Sequence, residues 1–337
     1  MDAALETQPN KLIDKFGRQV NYVRLSVTDR CDFRCVYCMS EDMTFLPREE
    51  VLTLEEITLL SQAFVELGVT KIRITGGEPL VRKDVVDMMA KISKLEGLNE
   101  LVITTNGSQL VKQAQPLKDA GVKRINISLD SLDADKFKRI TRVGDLAVVL
   151  DGIQAAKKAG FENIKLNTVI LKNRNDDEII SLVQYAMNEG LDISFIEEMP
   201  LGIVTDRSRE EAYYSSDQIK QDIEQKFELL PSTKATGGPA RYYSVAGYEN
   251  SVGFISPHSH NFCDTCNRVR VTASGLLLLC LGQEHSMDLK RVLRQDDVSL
   301  TTVKQALIES MEIKPKGHDF NISEQPVIFR HMSVTGG

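Results

Sequence analysis

Three cysteines near the start of the chain have a spacing that could hold a metal centre. They form a CxxxCxxC motif directly after the alternating run at 22–28: Cys31, Cys35 and Cys38. Soft thiolates suit iron–sulfur clusters and structural zinc, each of which normally takes four protein ligands. No fourth cysteine or histidine lies close in sequence, so one metal position would stay open to a small molecule. The alternative is a zinc site that a remote residue completes.

A second group of three cysteines follows much later and is also one ligand short: Cys263, Cys266 and Cys280. Nearby histidines could complete a zinc site there: His258, His260 and His285. Arg268 and Arg270 lie two residues apart on a predicted strand, so both should project from one face beside the metal. Paired guanidinium groups next to an open coordination site suggest recognition of phosphates or a carboxylate.

The elements that must position these cysteines alternate between strand and helix. Strands are predicted at 22–28, 71–75, 100–105, 123–129, 163–171 and 191–198, and helices at 53–68, 84–95, 108–119, 145–159 and 176–189. Such alternation implies right-handed crossovers and a parallel sheet. Six units are two short of a closed eightfold barrel. The fold class is therefore α/β, with a partial (β/α)6 barrel of the TIM type and a wide opening.

Polar residues alternate with apolar residues along these strands. Side chains alternate between the two faces of a strand, and the apolar set must face the helices. The concave side would then carry basic residues: Arg24, Lys71, Arg73 and Lys165. Buried charges without partners cost several kcal/mol each, so we expect the cavity to bind a polyanion. The alternative is that these charges lie in solvent at strand ends, or that the faces of one strand are reversed.

The βα repeat is lost near residue 200, which divides the chain. Residues 1–200 form the barrel, with an N-terminal extension at 1–16, and residues 201–337 form a second, α+β region. The stretch 231–239 has the proline and glycine content of a loop. Strands are predicted at 241–245 and 252–256, a hairpin around 274–275, and helices near 287–294 and 301–312.

Composition limits the class of protein. The chain has 337 residues, 42% of them hydrophobic, which is ample for a folded core. A net charge of −7 argues against broad binding to nucleic acid. The first ten residues lack a basic region followed by an apolar run, and no stretch is long enough to span a bilayer. We therefore expect a cytoplasmic protein without a membrane partner, whose grouped cysteines are thiolates on metal rather than disulfides.

The CxxxCxxC motif, with Tyr37 before its last cysteine, resembles the signature of the radical S-adenosylmethionine (SAM) enzymes. The resemblance extends to motifs at predicted strand ends: GGEP at 76–79, TTNG at 104–107, SLD at 128–130 and MP at 199–200. It implies a 4Fe-4S cluster on the first cysteine group whose free iron binds SAM, the source of a 5′-deoxyadenosyl radical. It also implies SAM contacts from Tyr37, Gly77, Thr104, Ser128 and Met199.

Two cysteine groups around a basic barrel, an Arg-x-Arg after CxxC and a terminal Gly-Gly closely resemble the MoaA-type GTP 3′,8-cyclases of molybdenum cofactor biosynthesis. The resemblance runs from about residue 17 to residue 337. It implies a second 4Fe-4S cluster on Cys263, Cys266 and Cys280 that binds the guanine of GTP. The reaction it implies is removal of the ribose C3′ hydrogen and addition of C3′ to purine C8, which gives 3′,8-cyclo-7,8-dihydro-GTP. Basic residues would hold the triphosphate or assist turnover: Arg24, Lys71, Arg73, Lys165, Arg268 and Arg270.

The same resemblance implies that Gly336 and Gly337 reach into the active site and act there with Arg268 and Arg270. It further implies a homodimer, an electron donor, and a downstream cyclic pyranopterin monophosphate synthase as functional partner. One departure is Ser194, where many members of the family carry arginine; Arg207 or Arg209 could substitute. Two other readings stay open: another radical SAM enzyme with an auxiliary cluster, and a non-catalytic protein that binds zinc or a nucleotide.

Overall fold

The computed structural model describes residues 11–202, 207–322, 328 and 330–336. The first half of the chain alternates strands and helices, in the order β1 Tyr22–Ser26, α1 Leu54–Glu66, β2 Lys71–Thr75, α2 Val85–Ile92, β3 Glu100–Thr105, α3 Leu110–Asp119, β4 Arg124–Ser128, α4 Ala134–Thr141, α5 Leu146–Lys158, β5 Ile164–Val169, α6 Ile179–Glu189 and β6 Asp192–Ile196. The second half contains α7 Arg209–Ala212, α8 Ser216–Glu224, β7 Leu229–Pro231, β8 Arg241–Val245, β9 Ser251–Ile255, β10 Arg268–Val271, β11 Leu276–Leu278, β12 Ser286–Asp288, α9 Leu289–Leu293, α10 Leu300–Ser310 and α11 Met332–Thr335.

The first six strands form the predicted partial barrel. β1 to β6 are parallel and adjacent in chain order, and each is hydrogen-bonded to the next. Helix α1 begins at Thr53 with the capping box that Glu56 predicts: each residue's side chain accepts a hydrogen bond from the other's backbone N–H. The sequence pattern missed α4, a single amphipathic helix inserted before α5. The α/β barrel is otherwise confirmed.

The C-terminal strands continue the same sheet at both of its ends. β10 pairs in parallel with β1, and β9 pairs in parallel with β6; antiparallel strands β11–β12 and β8–β7 then extend the two edges. The β10 register places Arg268 opposite Tyr22 and Arg270 opposite Arg24. Both ends of the second region therefore contribute to one concave face. Sequence periodicity predicted several of these strands but not their position in the barrel sheet.

The apolar faces of the strands pack against the helices, as their parity requires. Val23, Leu25, Ile72 and Ile74 are all at most 1% exposed and belong to one hydrophobic core with the inner faces of the helices. Burying these side chains is the main driving force that closes the helices on the sheet. The polar residues between them are left to face the concave side.

Within the described residues, no helix combines the length and the apolar character that crossing a bilayer requires.

Candidate active site

One large cavity occupies the concave side of the barrel. All six cysteines line it, so both cysteine groups border the same space. Of the four charges predicted for the interior, Arg73 and Lys165 are buried in its lining, Arg24 is half-buried there, and Lys71 is buried outside it. Other polar side chains of β1 to β5 line the cavity too, on the strand face that parity predicts. The cavity therefore connects both candidate metal sites.

The loop that carries the first cysteine group rests on the glycines of the GGEP turn. The Gly77 N–H donates to the Thr28 carbonyl at 2.8 Å, and the Glu78 N–H donates to the Arg30 carbonyl at 2.8 Å. A Cβ on Gly77 would lie 2.4 Å from the Arg30 carbonyl oxygen, and one on Gly76 would lie 2.6 Å from that of Thr28. Side chains cannot approach backbone atoms so closely, so both positions require glycine.

Glu78 ties this turn to the TTNG motif. Its carboxylate accepts hydrogen bonds from the Thr105 hydroxyl at 2.8 Å and from the Asn106 N–H at 2.7 Å. Burial outweighs these bonds and raises the pKa of Glu78 to about 7. The Asn106 amide then donates to Asp32, inside the cysteine loop, at 2.6 Å. Three motifs that are distant in sequence thus form one hydrogen-bonded support for the cysteines.

The thiols of the first group fit an iron–sulfur cluster chemically. The three cysteines are free and partly buried. Burial raises the pKa of Cys31 and of Cys38 to about 12, so thiolates in this pocket need a positive partner. Iron in a cluster supplies that charge. Within the described residues no set of three His, Cys, Asp or Glu side chains converges on a point suited to a single metal ion; a cluster spreads its ligands more widely.

The five residues implicated in SAM binding all line the same cavity: Tyr37, Gly77, Thr104, Ser128 and Met199. Tyr37 donates its phenol hydrogen to Asp130 at 2.6 Å. Asp130 also accepts from the Val169 N–H, and burial raises its pKa to about 6. The hydrogen bond from Tyr37 to Asp130 holds the Tyr37 ring near the end of β4. Tyr37 lies between Cys35 and Cys38 in the sequence. The individual SAM contacts stay predictions.

Five of the six basic residues line the cavity: Arg24, Arg73, Lys165, Arg268 and Arg270. Lys71 does not. Its ammonium group lies 2.6 Å from Glu100, which also pairs with Arg124, and it donates to the Thr236 carbonyl at 2.7 Å. Its positive charge is therefore already offset by Glu100.

Arg73, Lys165 and Arg270 are buried and Arg268 is half-buried, with little negative charge nearby to offset them. Within the described residues, no carboxylate lies within ion-pair distance of Arg73, Lys165 or the two β10 arginines. Burial, reinforced by Arg73, lowers the pKa of Lys165 to about 7. Burial and the neighbouring arginines lower the pKa of Arg270 well below its usual value. Such a cluster favours a bound polyanion, as the strand parity predicted.

The C-terminal segment contacts both Arg270 and the first cysteine group. The Arg270 guanidinium donates to the Gly336 carbonyl at 2.6 Å. Gly336 adopts φ +78°, and a Cβ there would lie 2.5 Å from the Thr75 methyl group. Further back, the Ser333 N–H hydrogen-bonds the Cys38 thiol. Gly336 therefore lies beside Arg270, its part in the active site stays a prediction, and Gly337 lies outside the described residues.

The arginine missing at Ser194 is not replaced by the two candidates. Arg207 and Arg209 both pair with Glu198, and Arg209 also donates to the Leu201 carbonyl. Their charges are thus offset at the end of β6. The space beside Ser194 is instead closed by Tyr242, whose ring edge lies 2.9 Å from the Cβ that Gly253 would carry. Lys165 donates to the Tyr242 hydroxyl at 3.2 Å.

The second cysteine group is enclosed by the chain that follows α10. Arg18 anchors this segment by donating to the carbonyls of Cys263, at 2.7 Å, and Pro315, at 2.6 Å. A Cβ on Gly317 would lie 3.1 Å from the Cys263 sulfur, so glycine leaves space beside the thiol. Burial raises the pKa of Cys266, but Arg268 and Lys314 outweigh it and lower that pKa overall. The donor set and the adjacent positive charge fit a thiolate-bound cluster.

Polar and aromatic residues complete the lining of the cavity. Asn126 and Asn167 line it, and each has a buried side-chain oxygen without a hydrogen-bond partner in the described structure. Strand parity predicts both on the polar, concave face. His318 and Phe320 also line it, with ring centroids 4.3 Å apart. Nothing in their local sequence places them beside the second cysteine group.

Comparison with known families defines the class. The family described as "Radical SAM superfamily" matches residues 25–186, and the one described as "Molybdenum Cofactor Synthesis C" matches residues 191–320. A crystal structure of Streptococcus suis SuiB bound to S-adenosylmethionine superposes with a TM-score of 0.61, at 15% identity, over 95% of this chain and 79% of that one. That likeness concerns the fold. The chain is a radical SAM enzyme, and this class implies SAM and a 4Fe-4S cluster.

Closer relatives narrow the assignment. A GTP 3′,8-cyclase of Saccharophagus degradans is 58% identical over 330 residues, covering 98% of this chain and 100% of that protein. A GTP 3′,8-cyclase of Pseudomonas fluorescens is 58% identical over 327 residues, covering 97% of this chain and 98% of that protein. The chain therefore belongs to the GTP 3′,8-cyclase family.

Proposed function

We propose that the cavity binds SAM beside the first cysteine group and GTP beside the second, and that the chain converts GTP into 3′,8-cyclo-7,8-dihydro-GTP. This would be the first step of molybdenum cofactor biosynthesis. One observation supports it most strongly: both cysteine groups and a cluster of buried cations line a single cavity. A ligand with a purine at one end and a triphosphate at the other matches that arrangement.

Cys31, Cys35 and Cys38 would hold the cluster that binds SAM, and Cys263, Cys266 and Cys280 would hold a second 4Fe-4S cluster that meets the guanine. When bound, the first cluster and SAM supply a 5′-deoxyadenosyl radical, which takes the ribose C3′ hydrogen before C3′ joins purine C8. The protein's part is to place C3′ near SAM and to exclude water from the cavity.

The buried cations would bind the triphosphate. Its roughly four negative charges would offset those of Arg73, Lys165, Arg268 and Arg270, which have no carboxylate within ion-pair distance in the described part of the chain. Arg24, Arg73 and Lys165 approach it from β1, β2 and β5, and Arg268 and Arg270 from β10. Lys71 would contribute less, because Glu100 already pairs with it.

Gly336 and Gly337 would act with Arg268 and Arg270 in turnover. The hydrogen bond from Arg270 to Gly336 supports this role, because it joins the tail to a residue of the phosphate pocket. We keep as predictions a division of the chain near residue 200, a homodimer, a cytoplasmic location, a separate electron donor and a downstream cyclic pyranopterin monophosphate synthase.

Product analysis of the anaerobically reconstituted protein tests this function. Incubation with SAM, a reductant and GTP should give an isomer of GTP with unchanged mass, since the hydrogen lost from C3′ is balanced by one electron and one proton. A Cys263→Ala variant should keep SAM binding but lose this product. A protein that cleaves SAM and leaves GTP unchanged would contradict the proposal and favour another radical SAM reaction.

A further inference from the structure

Tyr22 lies at the centre of the buried cations, although neither the strand pattern nor the motifs single it out. It is the first residue of β1, 3% exposed, and it lines the cavity. The sheet register sets it between Lys71 of β2 and Arg268 of β10. It shares the strand face of Arg24, two residues further on, so its phenol points into the same space as that guanidinium.

The phenol oxygen is the point at which two of the arginines meet. The Arg73 Nε donates to it at 2.6 Å, and the Arg24 side chain hydrogen-bonds it as well. Arg73 is held at a second point, because its Nη1 donates to the Thr104 hydroxyl at 2.8 Å. The Lys71 ammonium lies 5.3 Å from the centre of the Tyr22 ring, within cation–π range.

Guanidinium groups this close repel one another, so an empty pocket needs something to hold them in place. A carboxylate could do so, as Glu198 does for Arg207 and Arg209 elsewhere in the chain. A carboxylate among the arginines of the cavity would, however, also offset the positive charge that attracts a polyanion. A phenol that keeps its proton supplies an acceptor oxygen without a net negative charge. Burial raises the pKa of Tyr22, but Arg73, Arg24 and Lys71 outweigh it and lower that pKa to about 7, which agrees with strong attraction between the oxygen and its donors.

We propose that Tyr22 is a positioning residue of the triphosphate pocket, whose phenol oxygen orients the Arg24 and Arg73 guanidinium groups toward the phosphates. The proposal rests on the function proposed above, since it takes the polyanion to be the triphosphate of GTP. It assigns to Tyr22 an effect on phosphate recognition and none on the purine or on SAM.

The test compares GTP with guanosine on anaerobically reconstituted enzyme carrying Tyr22→Phe. This substitution keeps the ring, its packing and its cation–π contact and removes only the oxygen. Loss of the hydrogen bonds from Arg73 and Arg24 predicts at least about a tenfold rise in the KM and Kd for GTP, with kcat within about twofold and guanosine affinity unchanged. Tyr214→Phe is the matched control, because its phenol is bonded to Asp222 at 2.6 Å and does not line the cavity.

A double-mutant cycle with Arg73→Gln separates positioning from a direct contact. In Arg73→Gln only the effect of Tyr22 on Arg24 remains, so adding Tyr22→Phe to that variant should weaken GTP binding less than about threefold. Unchanged GTP affinity in Tyr22→Phe, or equal weakening of GTP and guanosine, would overturn the proposal. The ratio of the GTP affinity to the guanosine affinity does not depend on the fraction of active protein. If the wild-type enzyme leaves GTP unconverted, the proposed reaction is refuted. The ratio of GTP to guanosine affinity still tests the role of Tyr22 in that case.

Discussion

Gly77→Ala should selectively disable the first cysteine group. The new Cβ would lie 2.4 Å from the Arg30 carbonyl oxygen and 2.8 Å from that of Asp29. Both obstacles are backbone atoms, so no side-chain rotation relieves them. A carbon normally needs well over 3 Å, and the loop carrying Cys31 must therefore move by roughly 1 Å. Overpacking of this kind costs about 1–3 kcal/mol, with about 1 kcal/mol more for each hydrogen bond broken between the turn and the loop.

The assay is iron and sulfide content after anaerobic reconstitution. Wild type with two cubanes should hold about eight irons, and Gly77→Ala about four, with the second cluster kept and SAM binding lost. Gly160→Ala serves as the control: it strains a residue with φ +80° and has no atom within 4 Å of the new Cβ. It should lower the melting temperature but keep all the iron. Full iron content and normal SAM affinity in Gly77→Ala would refute the reasoning that this close approach positions the cysteines.

Three further predictions concern the other end of the cavity. Deletion of Gly336 and Gly337 should abolish turnover while melting temperature and iron content stay unchanged, because the segment contributes a contact to Arg270 rather than to the core; an active truncated enzyme would contradict this. Arg270→Ala should keep both clusters and SAM binding but weaken GTP binding at least tenfold, whereas Arg291→Ala, at an 87% exposed side chain, should change neither; parallel loss of iron would make Arg270 structural. GTP affinity should fall as the pH rises from about 6.5 to 8.5, because the pKa values of Lys165 and Tyr22 are both lowered to about 7, so that the ammonium is lost and a phenolate forms. The charged groups around these two side chains are Arg24, Lys71, Arg73, Arg124, Arg270 and Asp192, with Arg268 opposite Tyr22 in the sheet and Glu100 paired with Lys71 and Arg124. Calorimetry in buffers of different ionisation enthalpy should detect proton uptake on binding at pH 8, and its absence would contradict the prediction.

Sequence periodicity predicted the barrel because each βα unit has its own local pattern of apolar residues and helix caps. The alternation in Val23 to Thr28 and the capping box at Thr53 are local features, and the structure retains both. Parity also predicted that Arg24, Arg73 and Lys165 would share the concave face. Lys71 shares that parity and pairs in register with Tyr22, which lines the cavity, but Glu100 and Thr236 hold its ammonium group elsewhere. These contacts come from other segments of the chain, and periodicity does not encode them.

The remaining parts of the site depend on contacts between distant segments. β10 joins β1 across more than two hundred residues of chain, and only that pairing sets Arg270 beside Arg24. The support of Cys31 by Asp32, Asn106 and Glu78 likewise joins three loops. A tyrosine at the start of a strand is typical of packing, so the strand pattern does not mark Tyr22 as a site residue. Its importance follows from the arginines around it, which become its neighbours only in the folded sheet.

Transfer of hydrogen from GTP to SAM tests the central claim most directly. Reconstituted enzyme would be incubated anaerobically with SAM, a reductant and GTP deuterated at ribose C3′, and the 5′-deoxyadenosine would be analysed by mass spectrometry. The account predicts that 5′-deoxyadenosine gains one deuterium as the cyclised product forms. Efficient cleavage of SAM that yields 5′-deoxyadenosine without deuterium would contradict it.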